Sequence, residues 1–363
     1  MAKPLHHRND CKRRARHVLV WCAAVLCISP LLGGWLVDHL PFHIRDPDAA
    51  ATVSLWAKAK AHSFVLLLGS SRMGSFVRTV ELAALTRELV GTDSVHILNA
   101  ALVAGDPITV ELLTRRLLAL KREPPRLVLL ETGPDLLARD NAYFKFVITR
   151  ELTAGDLPKY IPDIFLSHKG ISRLLASRLS PFFLHRSQLL AWAGEMGAHR
   201  SPDSEQPAGD DESPSAQAIS FQFVRDKENK DSAVVAERMR IGARGYQSHL
   251  QHYQLAGATP AAFEETVAML HAHGCAIVLV QPPMSSAQRA LFTTKMHESF
   301  NTFVSRLQTF YACQFFDYSE RLPDTDFVDN DHANNPGSVK FTELLAKEVV
   351  APAWRNLMQK AEE

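Results

Sequence analysis

Two short polar segments, far apart in the chain, carry the residue types of a serine acyl-transfer site. Gly69-Ser70-Ser71 directly follows an apolar run, and Asp329 stands three residues before His332. A serine hydroxyl attacks an acyl group efficiently only when a neighbouring imidazole removes its proton. A carboxylate on the other ring nitrogen orients that imidazole. The two segments therefore predict a nucleophile, a base and an orienting acid.

The nucleophile is assigned to Ser71 rather than Ser70, because the second residue after Gly69 falls where the strand has ended and the next helix begins. A side chain on such a turn faces solvent while its own backbone N–H points to the same place. Ser71 N–H is therefore a predicted oxyanion-hole donor. Gly105 is the predicted second contributor, because a glycine lets the backbone approach a substrate closely. A plain turn before the helix that starts at Pro107 is an equally good interpretation of Gly105.

The loop that precedes His332 is acidic, so a metal site competes with a catalytic one. Asp324, Asp326 and Asp331 add their carboxylates to Asp329. The spacing lacks the central glycine and the terminal glutamate of a calcium loop, and one histidine is few for zinc. We therefore expect no metal and no other cofactor.

Apolar runs typical of buried strands alternate with helical patterns along the chain. The predicted strands are 64–68, 95–99, 127–131, 276–281 and 314–318, and the predicted helices are 77–90, 107–121, 260–272, 286–309 and 336–350. Such strands, separated by helices, indicate a parallel sheet that is covered on both faces. The predicted fold class is α/β, a three-layer sandwich of about five parallel strands. Ligands of such sheets bind beyond the carboxyl ends of the strands, where all the candidate residues lie.

The N-terminal segment predicts a membrane anchor. Basic residues crowd the stretch before an apolar segment at 18–37, which as a helix is long enough to span a hydrocarbon layer of roughly 30 Å. A cleavable signal peptide competes with an uncleaved anchor, which we favour because no clear small-x-small cleavage site follows the span. The predicted localisation is the inner (cytoplasmic) membrane, with a single pass, a cytoplasmic N-terminus and a periplasmic, extracytoplasmic catalytic domain.

The chain is predicted to divide into an anchor, a catalytic domain in two parts and an insertion. The predicted segments are a cytoplasmic basic tail at 1–16, a transmembrane anchor at 17–38, a connector at 39–60, catalytic-domain parts at 61–136 and 259–363, and a helical insertion at 137–258. Within the insertion, 201–218 is rich in Ser, Pro, Gly, Asp and Glu and is expected to be a disordered loop. The insertion either shapes an acceptor groove beside the active edge or is a packing appendage.

Composition and charge narrow the classes of partner. With 46% hydrophobic residues the chain is an ordinary globular protein, and its net charge of +1 gives no global field that favours nucleic acid. We therefore expect no nucleic-acid partner. Cys275 and Cys313 are the cysteines of the predicted exported domain, each at the start of a predicted strand. They either pair in an oxidising compartment or remain buried free thiols.

The motifs together resemble those of the SGNH (GDSL-like) hydrolase superfamily. Segment 69–71 is similar to its first block, Gly-Asp-Ser, with Ser in the middle position, and Gly105 stands for its second-block glycine. Segment 329–332 matches its last block, Asp-x-x-His, whereas 132–135 departs from its third block, Gly-x-Asn-Asp, and lacks the asparagine. The resemblance covers 64–131 and 276–350 and leaves the anchor and the insertion outside.

Within that superfamily, a Gly-Ser-Ser variant behind an N-terminal anchor is similar to membrane-anchored envelope proteins of the D-alanyl transfer and alginate O-acetylation types. The resemblance implies an extracytoplasmic O-acyltransferase or esterase that modifies a cell-surface polysaccharide or glycopolymer through an acyl-serine. It also implies the membrane and a multi-span acyl-exporting membrane protein as candidate partners. The competing hypothesis is a catalytically inactive anchored scaffold that binds a polysaccharide or an export complex.

Overall fold

The computed structural model describes most of the chain. The described residues are 5–59, 64–92, 95–120, 123–167, 169–180 and 232–362, with isolated positions at 182, 185, 186, 189, 190, 221 and 225. The loop predicted at 201–218 lies outside these residues.

The described strands form one five-stranded parallel sheet in the order β2-β1-β3-β4-β5. They are β1 Phe64–Leu68, β2 His96–Asn99, β3 Leu127–Glu131, β4 Ala276–Gln281 and β5 Gln314–Asp317. Every residue of β1 and β3 is buried, which explains why both strands have unbroken apolar sequences. The strand order reverses between β1 and β3, and such a switch point is where open α/β sheets bind their ligands. The sheet agrees with the predicted α/β architecture.

Helices surround the sheet and form the separate insertion. The α-helices are α1 Leu5–Asp38, α2 Phe42–Arg45, α3 Pro47–Lys58, α4 Ser71–Phe76, α5 Thr79–Val90, α6 Pro107–Ala119, α7 Phe144–Phe146, α8 Leu157–Leu166, α9 Gly170–Leu179, α10 Ser232–Leu250, α11 Ala258–Ala272, α12 Ser286–Arg289, α13 Thr294–Tyr311, α14 Asn335–Leu345 and α15 Ala351–Glu362. Two π-helical turns, Val147–Glu151 and Ala346–Val350, and one 3-10 turn, Asp324–Asp326, complete the described elements.

Each face of the sheet has its own hydrophobic core. Leu66 and Leu68 of β1 point into a core shared with α3, α6, α11 and α13. The alternate residues Val65 and Leu67 point into a second core shared with α4, α5, α14 and α15. Because successive strand residues face opposite sides, one apolar strand supplies both cores. The result is a three-layer arrangement that fixes the carboxyl end of β1 from both sides.

The predicted membrane anchor is wrong, and so is the localisation that rested on it. Among the described residues, no helix is sufficiently long and apolar to traverse a bilayer. The apolar segment forms the second half of α1, and its end packs against protein. Gly33, Gly34 and Val37 are buried there, and Asp38 accepts hydrogen bonds from Arg178 Nη1 at 2.7 Å and from Ala154 N at 2.9 Å. The prediction rested on the apolar run and its basic flank, and it did not anticipate these contacts with the insertion.

The insertion is anchored on the sheet domain at two places. Its first helices pack around a third core that includes Phe144, Ile148 and Ile164 together with Ile108 of α6 and Ala262 of α11. Further along, α10 runs beside the loop that carries His332. A Cβ at Gly242 of α10 would overlap the side chain of Asn330 in that loop. The insertion therefore contacts the predicted catalytic segment directly.

Cys275 and Cys313 are buried free thiols in the described structure. Burial raises the pKa of Cys275 to about 12 and that of Cys313 to about 11. Both side chains belong to the core shared with α11 and α13. Of the two alternatives left open by the sequence, the structure has the free thiols.

Candidate active site

The turn between β1 and α4 gives its two serines different environments. Ser70 caps α4, and its Oγ accepts a hydrogen bond from Arg72 N at 3.2 Å. The same residue donates from its backbone N to Glu131 Oε2 at 2.5 Å and from Oγ to Glu131 Oε1 at 3.0 Å. Ser70 is fully buried, so its hydroxyl serves to tie the end of β1 to the end of β3.

Ser71 is the first residue of α4, and its hydroxyl faces the histidine loop. Ser71 Oγ lies 2.9 Å from His332 Nε2, although 261 positions separate the two residues in the chain. A backbone N–H in the first turn of a helix has no carbonyl partner within that helix. The Ser71 N–H therefore lacks a carbonyl partner within α4, and its role as an oxyanion-hole donor remains a prediction.

The loop that carries His332 is held closed by backbone hydrogen bonds. Val328 N donates to His332 O at 3.0 Å, and Phe327 pairs with Ala333 in an antiparallel bridge. Asn334 then caps α14 by accepting a hydrogen bond from Gly337 N at 2.9 Å. These contacts fix the backbone of the loop on both sides of His332.

The other ring nitrogen of His332 meets two carboxylates. His332 Nδ1 is 3.0 Å from both oxygens of Asp329 and 3.1 Å from Asp331 Oδ1. Asp329 Oδ1 also accepts hydrogen bonds from the backbone N of Asp331 at 3.1 Å and of His332 at 2.9 Å. The structure thus brings Ser71, His332 and Asp329 together, and it adds Asp331, which the sequence had suggested only as one of several loop acids.

The electrostatic surroundings favour a charged histidine. Burial acts to lower the pKa of His332, but the carboxylates of Asp331 and Asp329 outweigh it and hold that pKa well above its ordinary value. Burial acts to raise the pKa of Asp331, but the positive charges of His332 and Arg72 and a hydrogen bond from Tyr246 hold it below its ordinary value. These surroundings favour the imidazolium form of His332, and a protonated imidazole must lose a proton before it can act as a base.

A buried ionic network underlies the site. Arg72 donates from Nε to Glu131 Oε1 and from Nη1 to Asp135 Oδ2, both at 2.8 Å, and all three side chains are almost completely buried. Gln288 Nε2 also donates to Asp135 Oδ2 at 3.2 Å, and Asn330 Nδ2 donates to Gln288 Oε1 at 3.0 Å. The network therefore connects the serine turn, the end of β3 and the histidine loop.

Gly105 lies against the serine turn, but its amide is engaged. Its N donates to Leu102 O at 3.0 Å. A Cβ at this position would stand 2.6 Å from Gly69 O and 3.2 Å from Ser70 Cα. Glycine is required here because the loop packs on the backbone of the turn. The role of Gly105 in an oxyanion hole remains a prediction, since its N–H would first have to leave Leu102.

The acids around His332 also meet the distance requirement of a metal site. Ligand atoms of Asp329, Asp331 and His332 lie within 4.8 Å of one another. In this arrangement the Nδ1–carboxylate separations of 3.0 and 3.1 Å are hydrogen-bond distances, and the second ring nitrogen is occupied by Ser71. We assign the cluster to hydrogen bonding.

Sequence reasoning missed the residues that support the site. Arg72 follows the nucleophile directly, but nothing local indicates that it reaches two carboxylates at the end of β3. Tyr246 belongs to the insertion, 85 positions before Asp331, and its hydroxyl donates to Asp331 Oδ2 at 2.6 Å. No local sequence motif predicts this contact. Asp331 was visible as the immediate neighbour of His332 and was passed over because Asp329 has the familiar spacing.

Comparison with known proteins adds no family assignment. No protein-family model matches this chain, and no curated protein has significant similarity to it. The resemblance to SGNH hydrolases therefore rests on the short motifs alone and remains a prediction.

Proposed function

We propose that this protein transfers an acyl group through an acyl-serine intermediate at Ser71, as an O-acyltransferase or an esterase. The proposal is carried by one observation, the continuous contact from Ser71 Oγ to His332 Nε2 at 2.9 Å and from His332 Nδ1 to Asp329 at 3.0 Å. Nucleophile, base and orienting acid in this order form the arrangement that activates a serine hydroxyl.

In the first half of the reaction, neutral His332 takes the proton of Ser71 while Oγ bonds to the carbonyl carbon of an acyl ester. The carbonyl oxygen becomes an oxyanion, which the Ser71 N–H is placed to stabilise. Collapse of the tetrahedral intermediate breaks the bond to the leaving alcohol, which receives the proton from His332 Nε2. Asp329 and Asp331 stabilise the imidazolium that forms in between.

In the second half, a hydroxyl compound attacks the acyl-serine. His332 removes the proton of the incoming hydroxyl, and the Ser71 oxygen leaves and recovers a proton from Nε2. Water as the acceptor makes the protein an esterase, and an alcohol makes it a transferase. Both products follow from the same residues.

A carbohydrate is the acceptor class that we propose. Its support is a groove of about 520 Å³ between α10 and α13, lined by amide, hydroxyl and aromatic side chains that include Gln247, Gln251, Tyr253 and Thr293. Neutral amide and hydroxyl groups match the donors and acceptors of sugar hydroxyls. Leu250 lines the same groove and lies one helical turn beyond Tyr246, which contacts Asp331. The groove and the contact with Asp331 therefore share the carboxyl-terminal part of helix α10.

The test is covalent labelling of the full chain with a fluorophosphonate probe, followed by mass spectrometry of the modified peptide. We expect one adduct on Ser71 in the wild type, none in Ser71→Ala, and wild-type labelling in Ser305→Ala, which removes an exposed serine on α13. Circular dichroism checks that the variants are folded. A folded wild type that never acquires an adduct on Ser71 refutes the proposal.

The competing function is binding without catalysis. It is favoured by the segment 131–135, which supplies carboxylates to Arg72 and no side-chain amide to an oxyanion hole. A binding protein that keeps an unreactive serine would bind an oligosaccharide while remaining unlabelled at Ser71. Labelling of Ser71 in the wild type separates the two functions, and calorimetric titration of oligosaccharides into Ser71→Ala measures binding without the nucleophile.

A further inference from the structure

Asp331 and Asp329 contact the same nitrogen of His332 from different environments. The Asp331 side chain is 4% exposed, whereas that of Asp329 is 33% exposed. A single Nδ1 proton is shared between the two carboxylates. An ionic hydrogen bond is stronger where the local dielectric constant is low, so the buried carboxylate has the greater influence on the imidazole.

The two acids also differ in what else they hold. Asp329 Oδ1 accepts two backbone N–H groups of its own loop, which is the task of a residue that shapes the loop. Asp331 directs Oδ1 to His332 at 3.1 Å and Oδ2 to the hydroxyl of Tyr246, which donates to it at 2.6 Å. Asp331 is therefore fixed between the imidazole and the insertion.

A second tyrosine completes this contact. Tyr143 OH and Tyr246 OH are 2.6 Å apart, and their rings meet edge to face with centroids separated by 6.3 Å. Because the Tyr246 hydroxyl uses its hydrogen in the bond to Asp331, it accepts a hydrogen bond from the Tyr143 hydroxyl. Both tyrosines remain neutral, since burial raises the pKa of each. Two separate parts of the insertion thus support Asp331 Oδ2, Tyr246 by direct contact and Tyr143 through Tyr246.

We propose that Asp331 is a positioning carboxylate for His332 and that the Tyr246 hydroxyl, supplied by the insertion, holds Asp331 in place. This inference rests on the acyl-transfer function proposed above. It gives the insertion a role in the reaction, because helix α10 fixes the acid that orients the base. Without the Tyr246 hydroxyl, Asp331 Oδ2 loses a buried donor, and the carboxylate is free to turn away from Nδ1.

The charged and titratable groups around this arrangement come from three parts of the fold. They are Asp329 and Asp331 of the histidine loop, Arg72 of α4 with its partners Glu131 and Asp135, and Tyr143 and Tyr246 of the insertion. Arg72 forms ion pairs with both Glu131 and Asp135. A variant of Asp331 therefore changes the charge beside His332 without uncovering another acid.

The experiment compares Tyr246→Phe and Asp331→Asn with the wild type, using the full chain. Tyr311→Phe is the matched control, because it removes a tyrosine hydroxyl from a ring that packs on the core shared with α11 and α13 and against His271, and not on Asp331. The first readout is the rate constant of fluorophosphonate labelling as a function of pH. The second is the titration of the His332 imidazole, followed by NMR of histidine labelled with ¹⁵N and assigned with His332→Gln.

We expect Asp331→Asn to lower the pH at which both His332 and the labelling rate titrate, because a stabilising charge is removed. Tyr246→Phe is expected to reduce the plateau rate at high pH by about tenfold, since small misplacements of a catalytic group have effects of this size. Tyr311→Phe should match the wild type. A role in stability alone would leave the titration of His332 unchanged in folded protein.

The proposal is overturned if folded Tyr246→Phe labels at the wild-type plateau rate, or if folded Asp331→Asn leaves the His332 titration unchanged. Tyr246→Phe preserves the ring, so the test survives even if Asp331→Asn fails to fold. If the wild type is not labelled at all, the acyl-transfer function fails. The NMR titration then still decides whether Asp331 governs the imidazole.

Discussion

Replacing Arg72 with methionine tests whether the buried ionic network holds the active site together. The guanidinium is completely buried and contacts Glu131 and Asp135 at 2.8 Å each. Methionine fills part of the same space without charge or donors. Glu131 and Asp135 are then left in the interior without the cation that compensates them.

The expected loss of stability follows from this burial. Removing one partner of a buried ion pair costs about 3–5 kcal/mol, because the remaining charge is uncompensated. At about 2 °C for each kcal/mol in a chain of this size, the midpoint of thermal unfolding should fall by about 6–10 °C. Glu131 also accepts the N–H and the hydroxyl of Ser70, so labelling of the adjacent serine should fall as well.

Urea unfolding followed by fluorescence of the buried Trp56 and Trp354 measures the change in free energy. Arg240→Met is the matched control, because Arg240 pairs with Glu237 on the exposed surface of α10 and surface pairs contribute little. Adding Glu131→Gln and Asp135→Asn to Arg72→Met should recover part of the loss, since all three charges of this ionic network are then removed. A loss below about 1 kcal/mol in Arg72→Met would refute the assignment of this network as a structural support.

Three further predictions follow from the geometry and the charges. Fluorophosphonate labelling of Ser71 should accelerate as the pH rises above neutrality, because Asp331 and Asp329 hold the pKa of His332 above its ordinary value. A labelling rate that stays constant or falls with rising pH would contradict this. Gly105→Ala should destabilise the fold by about 1–3 kcal/mol through overpacking and slow labelling, because its Cβ would stand 2.6 Å from a backbone oxygen of the serine turn. Gly245→Ala is the control, since no described atom lies within 4 Å of its Cβ. Burial raises the pKa of Glu151 from 4.5 to about 8. The carboxyl group therefore loses its proton at a lower pH in the unfolded state than in the folded state, and the free energy of unfolding should fall as the pH rises between these two values. Urea denaturation of Glu151→Gln at several pH values should show a smaller fall in the free energy of unfolding than the wild type shows. The same pH dependence in both proteins would contradict the raised pKa of Glu151.

The sheet could be predicted from the sequence because its strands are short apolar runs with clear ends. The predicted ranges 64–68, 127–131 and 276–281 coincide with β1, β3 and β4, and the other two strands differ from the prediction by one residue at one end. The predicted helix at 286–309 is in fact α12 and α13, separated by a short connection. The predicted helix at 77–90 begins at Thr79, after the separate helix α4.

The candidate site could be predicted only where its residues lie in recognisable local spacing. Segments 69–71 and 329–332 each carry a pattern that can be seen without the fold, and the structure brings their side chains into contact. Arg72 and Tyr246 act through partners that only the folded chain supplies. The membrane anchor was predicted from local sequence alone, and it is wrong because no described helix is long and apolar enough to span a membrane.

The long sequence separations within the site have a consequence for how the protein refolds. Ser71 and His332 are 261 positions apart, Ser70 and Glu131 are 61 apart, and Tyr246 and Asp331 are 85 apart. Closing loops of this length is slow compared with forming helices. The chemically competent centre must therefore be among the last features to assemble, and after dilution from denaturant, probe reactivity should return later than helical circular dichroism.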